Sequence, residues 1–352
     1  MNKKDRFNID IPETLDIEID KGINKGYKEI QSKKAYKRNL ITGLAAAGIV
    51  IFITFGIANP TFAAKLPIVG NVFKAIEKTL IYPSEYSKYA TSINETVTNN
   101  GVSITLSDIL CDGEGLYVTY IVESEKPFKH TSWGDAPLTM TQMLTRGSLA
   151  NVSFSDEELD DSGIAGLQGK FIDERTFIGM QRYRLKSLNK EIPDSFNFKV
   201  KLTSVGTKDL TVNEDDDYRK GEWAFNVPVK VDKLLSKTFD INYKGENGYS
   251  IDSILITPFT IIVNSSNPNE NSKSNIKAFD EANNEIPIES GRYLKDSNGS
   301  FNSNKISTSF HYDTSNLKNI RIVLYKSDSD DIGKIVTENT TEILLEKIIS
   351  LE

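Results

Sequence analysis

The side chains best suited to acid–base or metal chemistry are few in this chain of 352 residues. Its two histidines, His130 and His311, fall in different predicted domains, and a single histidine beside a strand is usually structural. The sequence contains no Cys-x-x-Cys pair, glycine-rich phosphate loop, nucleophile elbow or His-Glu-x-x-His motif. We therefore predict that the protein is not an enzyme and that it uses no metal ion and no cofactor.

Carboxylates are numerous, but they occur in loop-like clusters. The run at 213–217 is typical of the solvated end of a hairpin. Residues 328–333 begin like a calcium-binding loop, yet Ile332 stands where an oxygen ligand belongs and Asn339 where a bidentate glutamate belongs, which disfavours calcium.

The single cysteine, Cys111, excludes an intramolecular disulfide. The folded domains must therefore be stable through their hydrophobic cores alone. A lone cysteine behaves as a small apolar residue, so we expect Cys111→Ser to cost little stability.

An uncharged stretch at 40–57 dominates the organisation of the chain. Arg38 is the last charged residue before it and Lys65 is the first after it. Residues 39–59 as a helix would span roughly 30 Å, about the thickness of a hydrocarbon core, and Pro60 would end that helix. The pattern predicts one transmembrane helix; a buried helix of a soluble protein is the alternative.

The flanks of this segment predict its orientation. Four basic residues precede it closely, whereas the next basic residue after Lys65 is Lys74. The positive-inside rule places the N-terminus in the cytoplasm and the bulk of the chain outside the cell membrane. The membrane-flanking basic residues are Lys33, Lys34, Lys37 and Arg38.

A secretory signal peptide is a second alternative for the apolar stretch. Ala63 and Ala64 are small enough for a cleavage site, and cleavage would give a secreted protein. Against this, the preceding 38 residues are much longer than the short basic start of a signal peptide.

Residues 1–38 read as a cytoplasmic arm with one short amphipathic helix. Apolar side chains recur at intervals of four, four, four and three, which puts them on one face. So short a helix is marginal alone, so its apolar face either lies on the inner leaflet or docks on a partner protein. A loosely ordered arm without a partner is the third possibility. The apolar face consists of Leu15, Ile19, Ile23, Tyr27 and Ile30.

Charge separates the arm from the rest of the chain. The first 39 residues carry ten basic and seven acidic side chains, a net charge of +3. Because the whole chain has a net charge of −7, the remainder has a net charge of −10. An acidic outer part argues against direct binding of nucleic acid.

The outer part is predicted to be mainly β. A juxtamembrane connector occupies 60–92, and Tyr82, Tyr86 and Tyr89 in it suit either a membrane interface or packing beneath the next domain. Period-two alternation of apolar residues then predicts two immunoglobulin-like β-sandwich domains, at 93–235 and 236–352.

Within these domains, residues 102–122 predict an antiparallel pair joined by the turn at 112–115. Pro228 predicts an edge strand, and the polar run 264–275 predicts a loop. Residues 342–351 fit a strand or a short helix.

Several short motifs resemble one known family. They are Ile-Pro-x-x-Leu-Asp at 11–16, Asn-Pro-Thr-Phe-Ala at 59–63, Leu-Pro-x-x-Gly-x-x-Phe at 66–73, Asn-Gly-Val at 100–102 and Leu-Tyr-Val at 116–118. Together with the single span, they make residues 9–125 similar to domain of unknown function 4179, found in single-pass membrane proteins of Gram-positive bacteria. The C-terminal third resembles the second β domain that often follows in this family.

The resemblance implies a function, because many members of this family resemble anti-sigma factors. The arm would then sequester an extracytoplasmic-function sigma factor, and the outer domains would sense an envelope signal through an unknown ligand. The family's zinc-type anti-sigma pattern is absent, since the arm has no Cys or His. The alternative function is a cell-surface adhesion or wall-binding protein whose span is only an anchor.

Overall fold

The structure is a computed structural model. It describes residues 71–80, 84–132, 136–160, 166–188, 190–208, 217–269, 271–295, 300–326 and 342–351. These residues belong to one compact unit that runs from Leu66 to Glu352. The predicted arm at 1–38 and the predicted span at 39–59 lie outside the described residues. Within the described ranges, no helix is long and apolar enough to cross a membrane.

The described chain is mainly β, which confirms the predicted class. One short helix, α1 (Val72–Ile76), precedes the strands. The first β region contains β1 (Thr91–Asn99), β2 (Val102–Cys111), β3 (Gly115–Ser124), β4 (Gln142–Arg146), β5 (Leu149–Val152), β6 (Leu167–Asp173), β7 (Thr176–Arg184), β8 (Ser195–Thr207) and β9 (Asp217–Lys230). The second β region contains β10 (Lys237–Lys244), β11 (Ser250–Ile256), β12 (Thr260–Ser266), β13 (Ser274–Phe279), β14 (Glu285–Ile286), β15 (Ile288–Lys295), β16 (Phe301–His311), β17 (Asn319–Lys326) and β18 (Ile343–Ser350).

The first β region forms one antiparallel sheet in the order β1-β2-β3-β7-β6-β4-β8-β5, with β9 also paired to β8. The predicted pairing across 102–122 is confirmed, because β2 pairs antiparallel with β3. Pro228 lies in β9, which pairs only with β8 among the described strands, in agreement with the predicted edge. The indole Nε1 of Trp223 on β9 donates to the carbonyl of Val102 on β2 at 3.0 Å. The sheet therefore curves until strands distant in its order come together.

The second β region consists of two antiparallel sheets, β10-β11-β12-β16-β15 and β14-β13-β17-β18. Both sheets contribute to one hydrophobic cluster, in which Ile261 and Phe310 of the first sheet join Ile322 and Leu324 of the second. Residues 342–351, which the sequence left open, include β18 paired to β17.

Two polar segments differ from the predictions. Strand β12 continues to Ser266 and β13 begins at Ser274, so the predicted loop at 264–275 is too long. Ser266 fits a strand because its hydroxyl donates to Asp252 at 2.5 Å. Asp217, predicted to be solvated, is buried and its Oδ2 accepts hydrogen bonds from the backbone of Lys129 and from Arg219. The carboxylate of Asp217 therefore has a structural role.

Two similar hairpins begin the two β regions, and we call them the hairpin repeat. Strands β1 and β10 each contain a bulge with an Ile-Asn pair whose asparagine has positive φ, 56° at Asn94 and 48° at Asn242. Each strand leads into an Asn-Gly turn with positive φ at the glycine, 74° at Gly101 and 86° at Gly248. Each turn is followed by a Ser-Ile strand start, at 103–104 and 250–251. The second β region thus opens on a diverged copy of the motif that opens the first.

Candidate functional site

The connector forms the first part of the candidate site. The side chain of Asn71 caps α1 by accepting from the backbone N–H of Lys74 at 3.2 Å. The apolar face of the helix, with Val72, Phe73 and Ile76, is fully buried in a cluster with residues of β2, β3 and β7. The apolar face of α1 therefore packs against the sheet.

A buried carboxylate holds α1 in place. Asp108 on β2 is 1% exposed, and its Oδ2 accepts from the backbone N–H of Val72 at 2.8 Å. The same carboxylate accepts from the hydroxyls of Ser92, Ser107 and Thr119, so it joins the connector to three strands. Hydrogen bonds to a charged acceptor are about twice as strong as neutral ones, which makes Asp108 the main polar tie of the helix start.

An aromatic cluster continues the site beyond α1. The ring of Tyr86 lies 5.7 Å from that of Phe73 and 5.3 Å from that of Tyr117 on β3. Phe259, in the turn between β11 and β12, stacks on the other side of Tyr86 with centroids 4.6 Å apart. Of the two places considered for the connector tyrosines, Tyr86 therefore occupies the one beneath the folded domain. Tyr82 lies outside the described residues.

A buried ion pair borders this cluster. The guanidinium of Arg182 on β7 pairs with the carboxylate of Glu289 on β15, and their side chains are 11% and 5% exposed. Arg182 also donates to the hydroxyl of Thr260 at 3.2 Å and lies over the ring of Tyr117 at 5.3 Å. Two buried charges are tolerated here because each finds the other and because Arg182 has further partners.

His311, at the end of β16, lies beside Tyr86 at the edge of the aromatic cluster. Its Nε2 lies 3.4 Å from the hydroxyl of Tyr86. Burial, with a smaller contribution from the charge of Arg182, lowers the pKa of His311 to about 3. The ring is therefore neutral at neutral pH and serves as a structural partner. His130 lies elsewhere in the first β region, where its backbone N–H donates to Thr207.

The turns of the two β regions meet directly at this site. Asp112, in the turn between β2 and β3, is fully buried, and burial raises its pKa although the backbone N–H groups of Glu114 and Gly115 donate to it and the side chain of Thr257 lowers it. Thr257 belongs to the turn between β11 and β12, the turn that follows the second hairpin of the repeat. We call the whole arrangement, from α1 to His311, the junction. It is a packed joint between three parts of the chain.

Residues 32–124 match the family model described as Domain of unknown function (DUF4179). The chain is therefore similar to this family over that segment. The match ends at the last residue of β3, so it contains Tyr86, Asp108 and Tyr117 of the junction. The other junction residues, Arg182, Phe259, Glu289 and His311, lie beyond the matched DUF4179 region.

One similar solved structure is "The crystal structure of the conserved domain protein from Bacillus anthracis". It shares 18% identity with this chain and covers 78% of this chain and 95% of its own, with a TM-score of 0.43. No curated protein matches this chain.

The site residues predicted from the sequence fall outside the part of the chain that the structure describes. These are the arm residues Leu15, Ile19, Ile23, Tyr27 and Ile30, and the flanking residues Lys33, Lys34, Lys37 and Arg38. Among the described residues, no group of three or more His, Cys, Asp or Glu side chains is placed to hold a metal ion. Cys111 is buried, and burial raises the pKa of its thiol to about 12.

Reasoning from the sequence missed the junction. Arg182, Phe259 and Glu289 are far apart along the chain and have no motif in common. The recurrence of Asn-Gly-x-Ser-Ile at 100–104 and 247–251 was the available signal, because it marks two equivalent hairpins.

Proposed function

We propose that this protein is a single-pass membrane regulator similar to anti-sigma factors. Its arm at 1–38 binds an extracytoplasmic-function sigma factor in the cytoplasm through the face formed by Leu15, Ile19, Ile23, Tyr27 and Ile30. The segment 39–59 crosses the cell membrane. The two β regions lie outside, where they receive an envelope signal.

The burial of the connector in the first β region is the observation that carries this proposal. Helix α1 begins at Val72, close after the predicted end of the span at residue 59, and its first N–H is bonded to Asp108. A folded body tied this closely to the predicted span can pass a displacement on to the membrane segment. A surface protein that uses its span only as an anchor needs no more than a flexible link, so packing of the connector against the first β region favours the regulator.

We also propose that each β region is an immunoglobulin-like sandwich. The common core of the five-stranded and four-stranded sheets supports this architecture for the second region. The bond from Trp223 to Val102 supports it for the first, because it draws two parts of one sheet together.

The arm supplies the test of the regulatory function. Five apolar side chains on one face suit a helix-in-groove partner, and each fully buried one is worth ~1.5–3 kcal/mol. We expect Ile19→Asp with Ile23→Asp to abolish co-purification of the sigma factor and to switch on its regulon. Thr14→Asp with Ser32→Asp adds the same charge on the opposite face and should change neither.

The outcome also separates the alternatives. If the first double variant alters lipid binding but no transcript, the arm lies on the inner leaflet and the sigma-factor proposal is wrong. If it changes neither, and the intact arm captures no sigma factor, the protein is better described as an anchored surface protein.

A further inference from the structure

The second β region contacts the connector at the turn between β11 and β12 and through His311 at the end of β16. Phe259, the tip of that turn, is fully buried between Tyr86, Tyr89 and Tyr117. It is the only member of its hydrophobic cluster that comes from the second β region among the described residues. The aromatic surface of the connector is therefore covered by one inserted side chain.

Polar groups surround this insertion. The Arg182–Glu289 pair, the bond from Arg182 to Thr260 and the contact of Tyr86 with His311 all cross between the connector or first β region and the second. Each of these groups would be rehydrated if the regions separated, so opening would leave no charge buried and unpaired. Interfaces within a chain that mix apolar and polar groups in this way resemble transient protein–protein contacts.

The chain that links the two β regions is short and exposed at its centre. A 3₁₀ turn at Lys233–Leu235 lies between β9 and β10, and Leu234 in it is 96% exposed. The ends of this link are held, because the N–H of Asp232 donates to the carbonyl of Cys111 and the hydroxyl of Ser236 donates to that of Asp112. A hinge at Lys233–Leu235 would leave both folded cores intact.

We infer that the second β region is a lid over the connector, held by Phe259 and the Arg182–Glu289 pair, and that it opens as a body about Lys233–Leu235. Opening uncovers Tyr86 and Tyr117 while β1–β9 and β10–β18 stay folded. The role of this movement in signalling rests on the proposed function, in which the connector passes the state of the outer regions to the span. The lid itself is a property of the folded protein.

Hydroxyl-radical footprinting of the full-length protein in lipid nanodiscs tests the lid, because opening as a body keeps the hydrogen bonds within each region but exposes the covered rings. The reporting side chains are those of Tyr86 and Tyr117, which are 1% and 0% exposed. The reference side chains are Trp223 in the core of the first β region and Phe310 in the core of the second. We expect Phe259→Ala and Glu289→Gln each to speed oxidation of the reporting side chains at least tenfold and to leave the reference side chains unchanged. Glu222→Gln, in the exposed pair of Lys201 with Glu222, is the matched control and should move neither set.

The possible results separate the lid from the proposed function. If both sets of side chains are oxidised faster together in Phe259→Ala and Glu289→Gln, the β regions unfold as one body and the lid is wrong. If neither set responds, the two contacts do not hold the second region and the lid is equally wrong. If only the reporting side chains respond, the lid stands. An unchanged sigma-dependent transcript in the same variants would then count against the proposed function alone.

Discussion

The ring of Tyr86 stacks on the ring of Phe259, with centroids 4.6 Å apart and planes inclined by 21°. Tyr86 belongs to the DUF4179 region and follows the connector helix, whereas Phe259 belongs to the second β region. This pair therefore joins the segment that follows the predicted span directly to the C-terminal β region.

Removing the ring of Tyr86 should strongly destabilise the unit at Leu66–Glu352. A buried aromatic side chain replaced by alanine costs about 3–5 kcal/mol, because the cavity is only partly refilled. Tyr86→Phe keeps the ring and loses only the hydroxyl near His311, so it should cost about 1 kcal/mol. Urea unfolding of the fragment 66–352 measures both. Equal losses in the two variants would show that the hydroxyl, and not the stacking, holds the connector.

Asp108 should hold the start of α1 with its charge. Asp108→Ala leaves the N–H of Val72 and three hydroxyls without their acceptor, and we expect a loss of about 2–4 kcal/mol with faster hydrogen exchange at Val72. Asp108→Asn retains one oxygen acceptor and should lose about half as much. Asp240→Ala, on the exposed face of β10, is the control. Unchanged protection of Val72 in Asp108→Ala would contradict the tie.

The burial of Cys111 changes what its substitution should do. From the sequence, Cys111→Ser was expected to be nearly neutral, but the side chain is 2% exposed within the core of the first β region. Serine would place a hydroxyl in apolar surroundings at a cost of ~1–3 kcal/mol, whereas Cys111→Ala should cost less. Thermal unfolding of the two variants distinguishes them. Reductant should leave the far-ultraviolet spectrum of the native fragment unchanged, since it has no second cysteine.

The sequence predicted many strands well, because alternation of apolar and polar residues within one segment is enough to indicate a half-buried strand. Phe196, Phe198, Val200 and Leu202 alternate with polar residues, and β8 buries that set on one face. The turn at 112–115 was readable for the same reason. The extension of β12 to Ser266 was not, because a polar strand is stabilised by cross-strand bonds that composition does not reveal.

The junction could not be predicted because its partners are distant in sequence and chemically ordinary. The residues next to Arg182 and Glu289 in sequence do not distinguish them from the many other acidic and basic residues of the chain. Only the fold brings β7 next to β15, and only then does the burial of both charges give them a structural role. The arm and the span remain predictions from pattern, since they lie outside the described residues.

The turn glycines of the hairpin repeat should tolerate alanine poorly. Gly101 has a φ of 74° in a two-residue turn with Asn100, a geometry that requires positive φ at both positions. A Cβ there would also lie 2.9 Å from a carboxylate oxygen of Glu125. We expect Gly101→Ala to cost about 1–2 kcal/mol, and Gly248→Ala, with a φ of 86°, to cost a similar amount. Differential scanning calorimetry of the fragment would show both losses, and a neutral Gly101→Ala would contradict the turn geometry.

His311 should make the stability of the fold depend on pH below neutrality. The pKa of this histidine falls from an unfolded value of 6.5 to about 3 in the folded protein, chiefly through burial. Between these values the unfolded chain binds a proton that the folded chain does not, so stability is full above pH 6.5 and falls as the pH decreases. Burial raises the pKa of Asp112, which favours the folded state at low pH and opposes this effect. The contribution of His311 must therefore be measured as a difference between variants.

The comparison is between the native fragment and His311→Gln, unfolded in urea at pH 7 and at pH 4.5. From pH 6.5 to pH 4.5 the unfolded chain binds a proton at His311 that the folded chain does not, which is worth about 2–3 kcal/mol. The free energy of unfolding of the native fragment should therefore fall by that much more than that of the variant. Asp112 remains in both proteins and cancels from the difference. His130→Gln should behave like the native fragment, because His130 lies outside the junction. Equal losses in the native fragment and in His311→Gln would mean that His311 is not held neutral against Tyr86 and Arg182.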